Sequence, residues 1–138
     1  MRRLFRPAAL ATLLLVGPTG CGPRVYPVEG VVQYDDGSPA AALAKGTVSL
    51  ESVADKSNAS GEIRPDGTFR VTDPGGRGGV SPGAYRVVVL PPEGADRRNP
   101  PVDPVYGRYE TSGIEIKVKD EPTRVTVTVR RPAGAKKG

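Results

Sequence analysis

The chain of 138 residues contains no histidine and no tryptophan, a single cysteine, a single methionine and only two phenylalanines. Without histidine, Ser-His-Asp and Cys-His nucleophilic sites are excluded, together with the usual zinc and iron ligand sets. With one cysteine there is no disulfide within the chain, so the folded part must hold together by packing and backbone pairing. No run of apolar residues is long enough to span a bilayer. The stretch "AALATLLLV" (Ala8–Val16) covers roughly 14 Å as a helix at about 1.5 Å per residue, against a hydrocarbon core of about 30 Å. No P-loop or dinucleotide fingerprint is present: "GGRGG" (Gly75–Gly79) lacks the Lys-Ser/Thr pair and the following helix, and reads as a flexible loop. The basic excess is also thin. The formal charge is +5, but of the 20 Lys and Arg residues three (Arg2, Arg3, Arg6) lie in the first segment, leaving 17 against 15 acids. Part of that remainder sits in the terminal "RRPAGAKKG". Nucleic-acid binding would need basic residues concentrated on one face of the fold, so it is excluded as a function class.

What the chain has in quantity is turn chemistry and alternation. Gly (18) and Pro (15) make close to a quarter of all residues, and they fall between apolar runs rather than evenly along the chain. Within those runs the apolar residues recur every second position, which places one set of side chains in a core and the other in water. Tyr26, Val28, Val32 and Tyr34 share one side of the first run, and Val48 and Leu50 share a face of the next. "SNASGEI" is a polar strand candidate. An Asp66-Gly67 turn leads into Phe69 and Val71, and Tyr85, Val87 and Val89 are in step. Ile114, Ile116 and Val118 form another set, and Val125, Val127 and Val129 the last. Joined at "KDEPTR", the last two runs are expected to form an antiparallel hairpin. About seven short strands with turn signals between them, and no helical period, predict an all-β antiparallel sandwich of immunoglobulin-like or transthyretin-like type. Asp35, Asp36, Asp66, Asp73 and Asp103 could meet around Ca²⁺, but read more simply as turn residues that bond their own backbone. No metal or cofactor is expected.

The N-terminal segment is an address. A basic front, the apolar run and the small residues "GPTG" precede Cys21 in "LLLVGPTGCGP", which are the parts and size of an export signal. The segment resembles a bacterial lipoprotein signal, with Gly20 and Thr19 before the cysteine and Pro18 where that family usually has leucine. The resemblance implies that Cys21 receives a diacylglycerol on its thiol, that the signal 1–20 is removed, and that the new amine is acylated. The thiolate is the nucleophile such chemistry requires, and two or three acyl chains anchor a protein stably where one does not. Gly22 in place of aspartate leans toward the outer membrane by the same analogy. The competing reading is an ordinary secretory signal with Cys21 left as a free thiol or in an intermolecular disulfide.

The remainder resembles the carboxypeptidase regulatory-like, or transthyretin-like, sandwich of small planctomycete-type lipoproteins. The matching pieces are "CG" at 21–22, "VYPVEGVVQYDDGSPAA", "PDGTFRV" at 65–71, "SPGAYRVVV" at 81–89 and "YGRYETSGIEIKV" at 106–118. The resemblance implies a non-enzymatic domain held at the cell envelope. It divides the chain into the signal 1–20, a lipidated start and linker 21–24, the sandwich 25–131 and a basic, disordered tail 132–138.

One stretch is too long to be a mere turn. "PPEGADRRNPPVDPVYGRYETSG" (Pro91–Gly113) carries Tyr106, Tyr109, Arg97, Arg98 and Arg108, residue types favoured at interfaces. Loops of this length in compact domains are commonly functional, and its prolines would keep it extended as a stiff ledge. These five residues are the candidate contacts for an unknown envelope protein or polysaccharide. Two roles are open: a structural or protein-interaction module, or a carbohydrate or small-ligand binding module. The simpler alternative for the tyrosines is packing against the edge of the sandwich.

Overall fold

The computed structural model describes residues 24–134; the signal segment, Cys21 and the last four residues of the tail lie outside them. The chain forms seven strands: β1 (Val28–Tyr34), β2 (Thr47–Ser52), β3 (Asn58–Glu62), β4 (Thr68–Arg70), β5 (Gly83–Leu90), β6 (Ile114–Val118) and β7 (Thr123–Val129). Two short 3-10 turns, Ala41–Leu43 and Pro104–Gly107, are the helical elements among the described residues. The strands make two sheets, one ordered β4-β1-β7 and the other β3-β2-β5-β6. The protein is therefore an all-β sandwich, as the alternation predicts.

The inward sets are those the alternation picks out. Val28, Val32, Tyr34, Val48, Leu50, Phe69, Val71, Tyr85, Val87, Val89, Val118, Val127 and Val129 are all buried in one continuous core, with Tyr26, Ile114, Ile116 and Val125 packed against it and partly covered. Two glycines are required by this packing. Gly67 adopts φ +83° in the turn before β4, a conformation that costs a residue with a β-carbon. Gly30 faces inward opposite Phe69 across the β1–β4 register, and the Phe69 ring occupies the volume that a side chain at 30 would fill.

The polar strand candidate is β3. It pairs with β2 in one sheet, and its Ser60 exchanges two backbone hydrogen bonds with Thr72, just past β4, at 2.9 and 3.0 Å. That bridge fastens the two sheets together along one flank.

Three expectations are corrected. β6 and β7 do not form a hairpin: β6 pairs with β5, while β7 crosses to the other sheet and pairs with β1. Residues 119–122 thus arch over the core instead of turning within a sheet, so the two valine-isoleucine sets face each other across the interior. The sandwich is also not purely antiparallel, because β1 and β7 run parallel over their full length, Val28↔Thr123 to Tyr34↔Val129. Lastly, the glycine-rich stretch is a clamped turn rather than a loose loop. Asp73 Oδ1 accepts from the Arg77 amide at 2.7 Å, and Asp73 Oδ2 pairs with Arg77 Nε at 2.6 Å.

The aspartates close turns. Asp36, Asp55 and Asp66 each accept bonds from the amide and hydroxyl two residues on, at Ser38, Ser57 and Thr68. These bonds stabilise the carboxylate and hold all three below the ordinary aspartate range, Asp36 at about 2, with the Ser38 hydroxyl as its largest cause.

Candidate functional site

The Pro91–Gly113 segment is a folded strap, not an extended ledge. It leaves β5 at Leu90, turns at Pro92–Ala95, and places Arg97 and Arg98 exposed on its outer bend. Asp96 Oδ1 accepts from the Arg98 amide at 2.9 Å and fixes that bend. The chain then dives: the Pro101 carbonyl accepts from the Tyr34 hydroxyl at 2.7 Å, and Val102 is buried in the core.

Asp103 is the pivot of the strap. Its amide donates to the Arg130 carbonyl at 3.0 Å, its Oδ1 accepts from the Val105 amide at 3.0 Å, and its Oδ2 meets Arg130 Nε at 2.9 Å. The Val105 bond, then the Arg130 bond, hold its carboxyl below the ordinary range. Pro104 starts the 3-10 turn with its φ already set and no amide to satisfy. Tyr106 lies half-buried against the core with the Arg130 guanidinium 5.9 Å from its ring centre. Beyond it, Thr111 Oγ1 donates to the Val105 carbonyl at 2.7 Å, and the Arg108 carbonyl accepts from Ser112 at 2.9 Å. The Tyr109 hydroxyl shares a hydrogen bond of 2.9 Å with Ser49 Oγ and reaches Asn58 Oδ1 at 3.4 Å.

These anchors define what the strap covers. Ser49 lies between the buried Val48 and Leu50, so it points to the outer face of the four-stranded sheet. Tyr109 is therefore laid across that outer face. Val88, the register partner of Ser49, points the same way and is only 4% exposed, so β5 is buried on both faces at Val87–Val89.

The five candidate contacts do not form one platform. Arg97 and Arg98 stand on the outer bend, Tyr106 sits beside Arg130 at the end of β7, and Tyr109 is tied to β2 and β3; Arg108 is exposed between the two tyrosines. The packing alternative describes the tyrosines. A shallow groove of about 380 Å³ does open beside Tyr109, bounded by Arg86, Glu110 and Glu115.

Two further features carry no signal in the strap's sequence. The first is a clasp at the end of the domain. Arg131 lies with its guanidinium 3.7 Å from the Tyr34 ring centre and pairs through Nη1 with Asp36 Oδ2 at 3.1 Å. Stacking on an aromatic face combined with an ion pair is a use to which arginine is suited. The sequence shows only "RR" before a tail, and distance in the chain hides the partners. The second is the outer face of β4-β1-β7, a groove of about 600 Å³ with Val31 along its floor and Arg64, Arg70 and Arg124 at its sides. Arg70 is paired with Glu29, and Asp66 is engaged in its turn with Thr68. Its signal is the outward half of the same alternation that marks the core.

Among the described residues, no three His, Cys, Asp or Glu side chains gather where they could hold a metal ion, and no helix is long and apolar enough to cross a membrane. Comparison with known proteins returns no matching family model, no similar curated protein and no similar solved structure.

Proposed function

We infer that this protein is a lipid-anchored β-sandwich of the cell envelope, a non-enzymatic module that holds an interaction surface at a fixed height above a membrane. The observation that carries this reading is Cys21, the only thiol in the chain, placed directly behind a basic, apolar and small-residue segment. In support, the chain has no histidine for general-base or nucleophilic work. Among the described residues the first backbone pairing, Tyr26 with Val80, comes five residues after the cysteine. A fully extended link of that length reaches at most about 17 Å, so the anchored domain would ride close to the lipid headgroups.

The strand directions then give the domain an up and a down. β1 starts beside the start of β7, beside Val71, and near the ends of β2 and β6. Residues 53–57, 73–82 and 119–122 face the membrane in this reading. The opposite end, with the turn at 35–38, Arg97, Arg98 and the Arg131 clasp, faces away and is offered to a partner.

Metabolic labelling with a palmitate analogue tests the reading. The parent chain is expected to be tagged and to fractionate with membranes, and Cys21→Ser to be neither. Equal labelling of the two would overturn it.

A further inference from the structure

β7 ends its sheet, and among the described residues no strand pairs with its outer side. In a parallel ladder alternate residues turn their backbone groups toward the neighbour and the others turn away. The Thr123 amide donates to Pro27 at 2.9 Å, and the Val129 carbonyl accepts from Asp35 at 2.8 Å. Thr123, Val125, Val127 and Val129 therefore serve β1, while Arg124, Thr126 and Thr128 present N–H and C=O groups outward. The row stops at Arg130, whose carbonyl is taken by the Asp103 amide. Exposed edges are ordinarily blunted by proline, lysine or a bulge. Over Thr123–Val129 this one has a single charge, Arg124, and otherwise alternates threonine with valine. β6 is likewise the terminal strand of the other sheet. Its Ile114 and Ile116, together with Val125 of β7, are only partly covered. Among the described residues, then, two strand edges carry half-buried apolar residues with no strand alongside.

We propose that the completing strand is β7 of a second copy of this chain, running antiparallel about a two-fold axis at Thr126. The sequence matches itself about that residue. Thr126 faces Thr126 of the second copy, Arg124 faces Thr128, and Val125 faces Val127 on the core side, so no like charges oppose. All three outward residues on each chain find partners, giving about six new backbone hydrogen bonds.

The neighbouring registers fail. A shift of two in one direction brings Pro122, which has no N–H, opposite Thr128. A shift of two the other way sets Arg124 against Arg130, a like-charge pair, at a residue whose carbonyl is already bonded. Shifts of one turn core residues outward. A foreign strand would satisfy the same backbone groups, but it is this single self-matching register that favours a second copy. The product is a six-stranded sheet, β4-β1-β7 continued by its symmetry mate, with the two N-termini at opposite ends; two anchored copies so paired would lie with their strands along the membrane, and the upright pose given above is that of a single copy.

The test uses the full chain carrying Cys21→Ser in mild detergent, so that it does not depend on lipid attachment. Thr126→Cys then supplies the sole thiol. Residues opposed in a hydrogen-bonded antiparallel pair have Cα atoms about 5.5 Å apart, inside the disulfide range of about 4.4–6.8 Å. Thr126→Cys is expected to cross-link to itself under mild oxidation. Thr128→Cys, about 14 Å along the strand from its own mate at about 3.4 Å per residue, is not. A mixture of Arg124→Cys and Thr128→Cys chains is expected to cross-link. Light scattering should give the mass of two chains for the Cys21→Ser parent and of one for Thr126→Pro, whose missing N–H bonds nothing in a single copy. Equal cross-linking at 126 and 128, or a single-chain mass for the parent at the concentration used for oxidation, would overturn the proposal.

Discussion

Replacing Gly30 by alanine probes the point where three strands meet. A β-carbon there would lie 2.8 Å from Phe69 Cζ and 2.9 Å from Cε1, and closer still to the Val125 carbonyl oxygen. Neither obstacle yields cheaply. Phe69 is 2% exposed and packed in the core, and the carbonyl belongs to the ladder that joins β1 to β7. Overpacking a filled core costs about 1–3 kcal/mol, and forcing the ring about 30° off its rotamer adds about 0.5–1.5 kcal/mol. Gly30→Ala should therefore lose about 3 kcal/mol, which for a domain of this size is a fall in Tm of about 12 °C. Gly78→Ala is the control, since a β-carbon there has nothing within 4 Å and should stay within about 0.5 kcal/mol of the parent. Urea unfolding followed by far-UV circular dichroism measures both. Adding Phe69→Leu to Gly30→Ala should return about 1 kcal/mol relative to the sum of the single changes, because the ring is removed while the carbonyl stays. If Gly30→Ala unfolds within about 0.5 kcal/mol of the parent, the placement of β1 between β4 and β7 is wrong.

Other changes test the strap and the clasp. Val102→Ala removes two buried methyl groups that pin the strap, and should cost about 2 kcal/mol in urea unfolding. Tyr109→Phe frees Ser49 and Asn58; it should cost at most about 1 kcal/mol, yet raise hydrogen exchange at residues 108–112 while leaving β2 and β5 unchanged. Asp36 gives a pH signature. Its carboxyl is held at about 2 by Ser38 and then Arg131, below its unfolded value of about 3.9. Between those values the unfolded chain binds more protons, so the contribution is complete above about pH 4 and is lost as pH falls through about 2. Asp36→Asn should flatten that part of the acid-unfolding curve, and an unchanged curve would rule out the Asp36 carboxylate as its source.

How far the sequence carries depends on which question is asked of it. Period-two alternation reports the face a residue occupies, because that is fixed by the geometry of the strand itself. Hence Val28, Val32 and Tyr34, or Tyr85, Val87 and Val89, are legible as core. The same alternation does not report which strand lies alongside. Ile114–Val118 and Thr123–Val129 satisfy a hairpin and an arch between sheets equally well, and "KDEPTR" suits both. The strap is legible as a long proline-rich segment but not as a covering layer. The run Val87-Val88-Val89 did hold the signal, since consecutive apolar residues mark a strand buried on both faces. The clasp of Arg131 on Tyr34 and Asp36 joins residues about a hundred positions apart, and no local pattern encodes such a meeting.

The parallel pairing of β1 with β7 has the widest consequence. In a sandwich whose first and last strands ran antiparallel, the chain would begin and end at the same end of the domain, and an N-terminal anchor would hold the C-terminus near the membrane as well. Here the two strands run the same way over seven residues, so the start and the end of the domain are separated by the length of the sheet, about 20 Å at about 3.3 Å per residue. Arg130 and Arg131 act at the far end, where one braces the strap through Asp103 and the other closes the turn through Asp36. The end opposite the start of β1 is thus tied together by side chains from distant parts of the chain. An anchored domain would present that end, and a binding surface already held by such contacts does not spend its affinity on ordering itself.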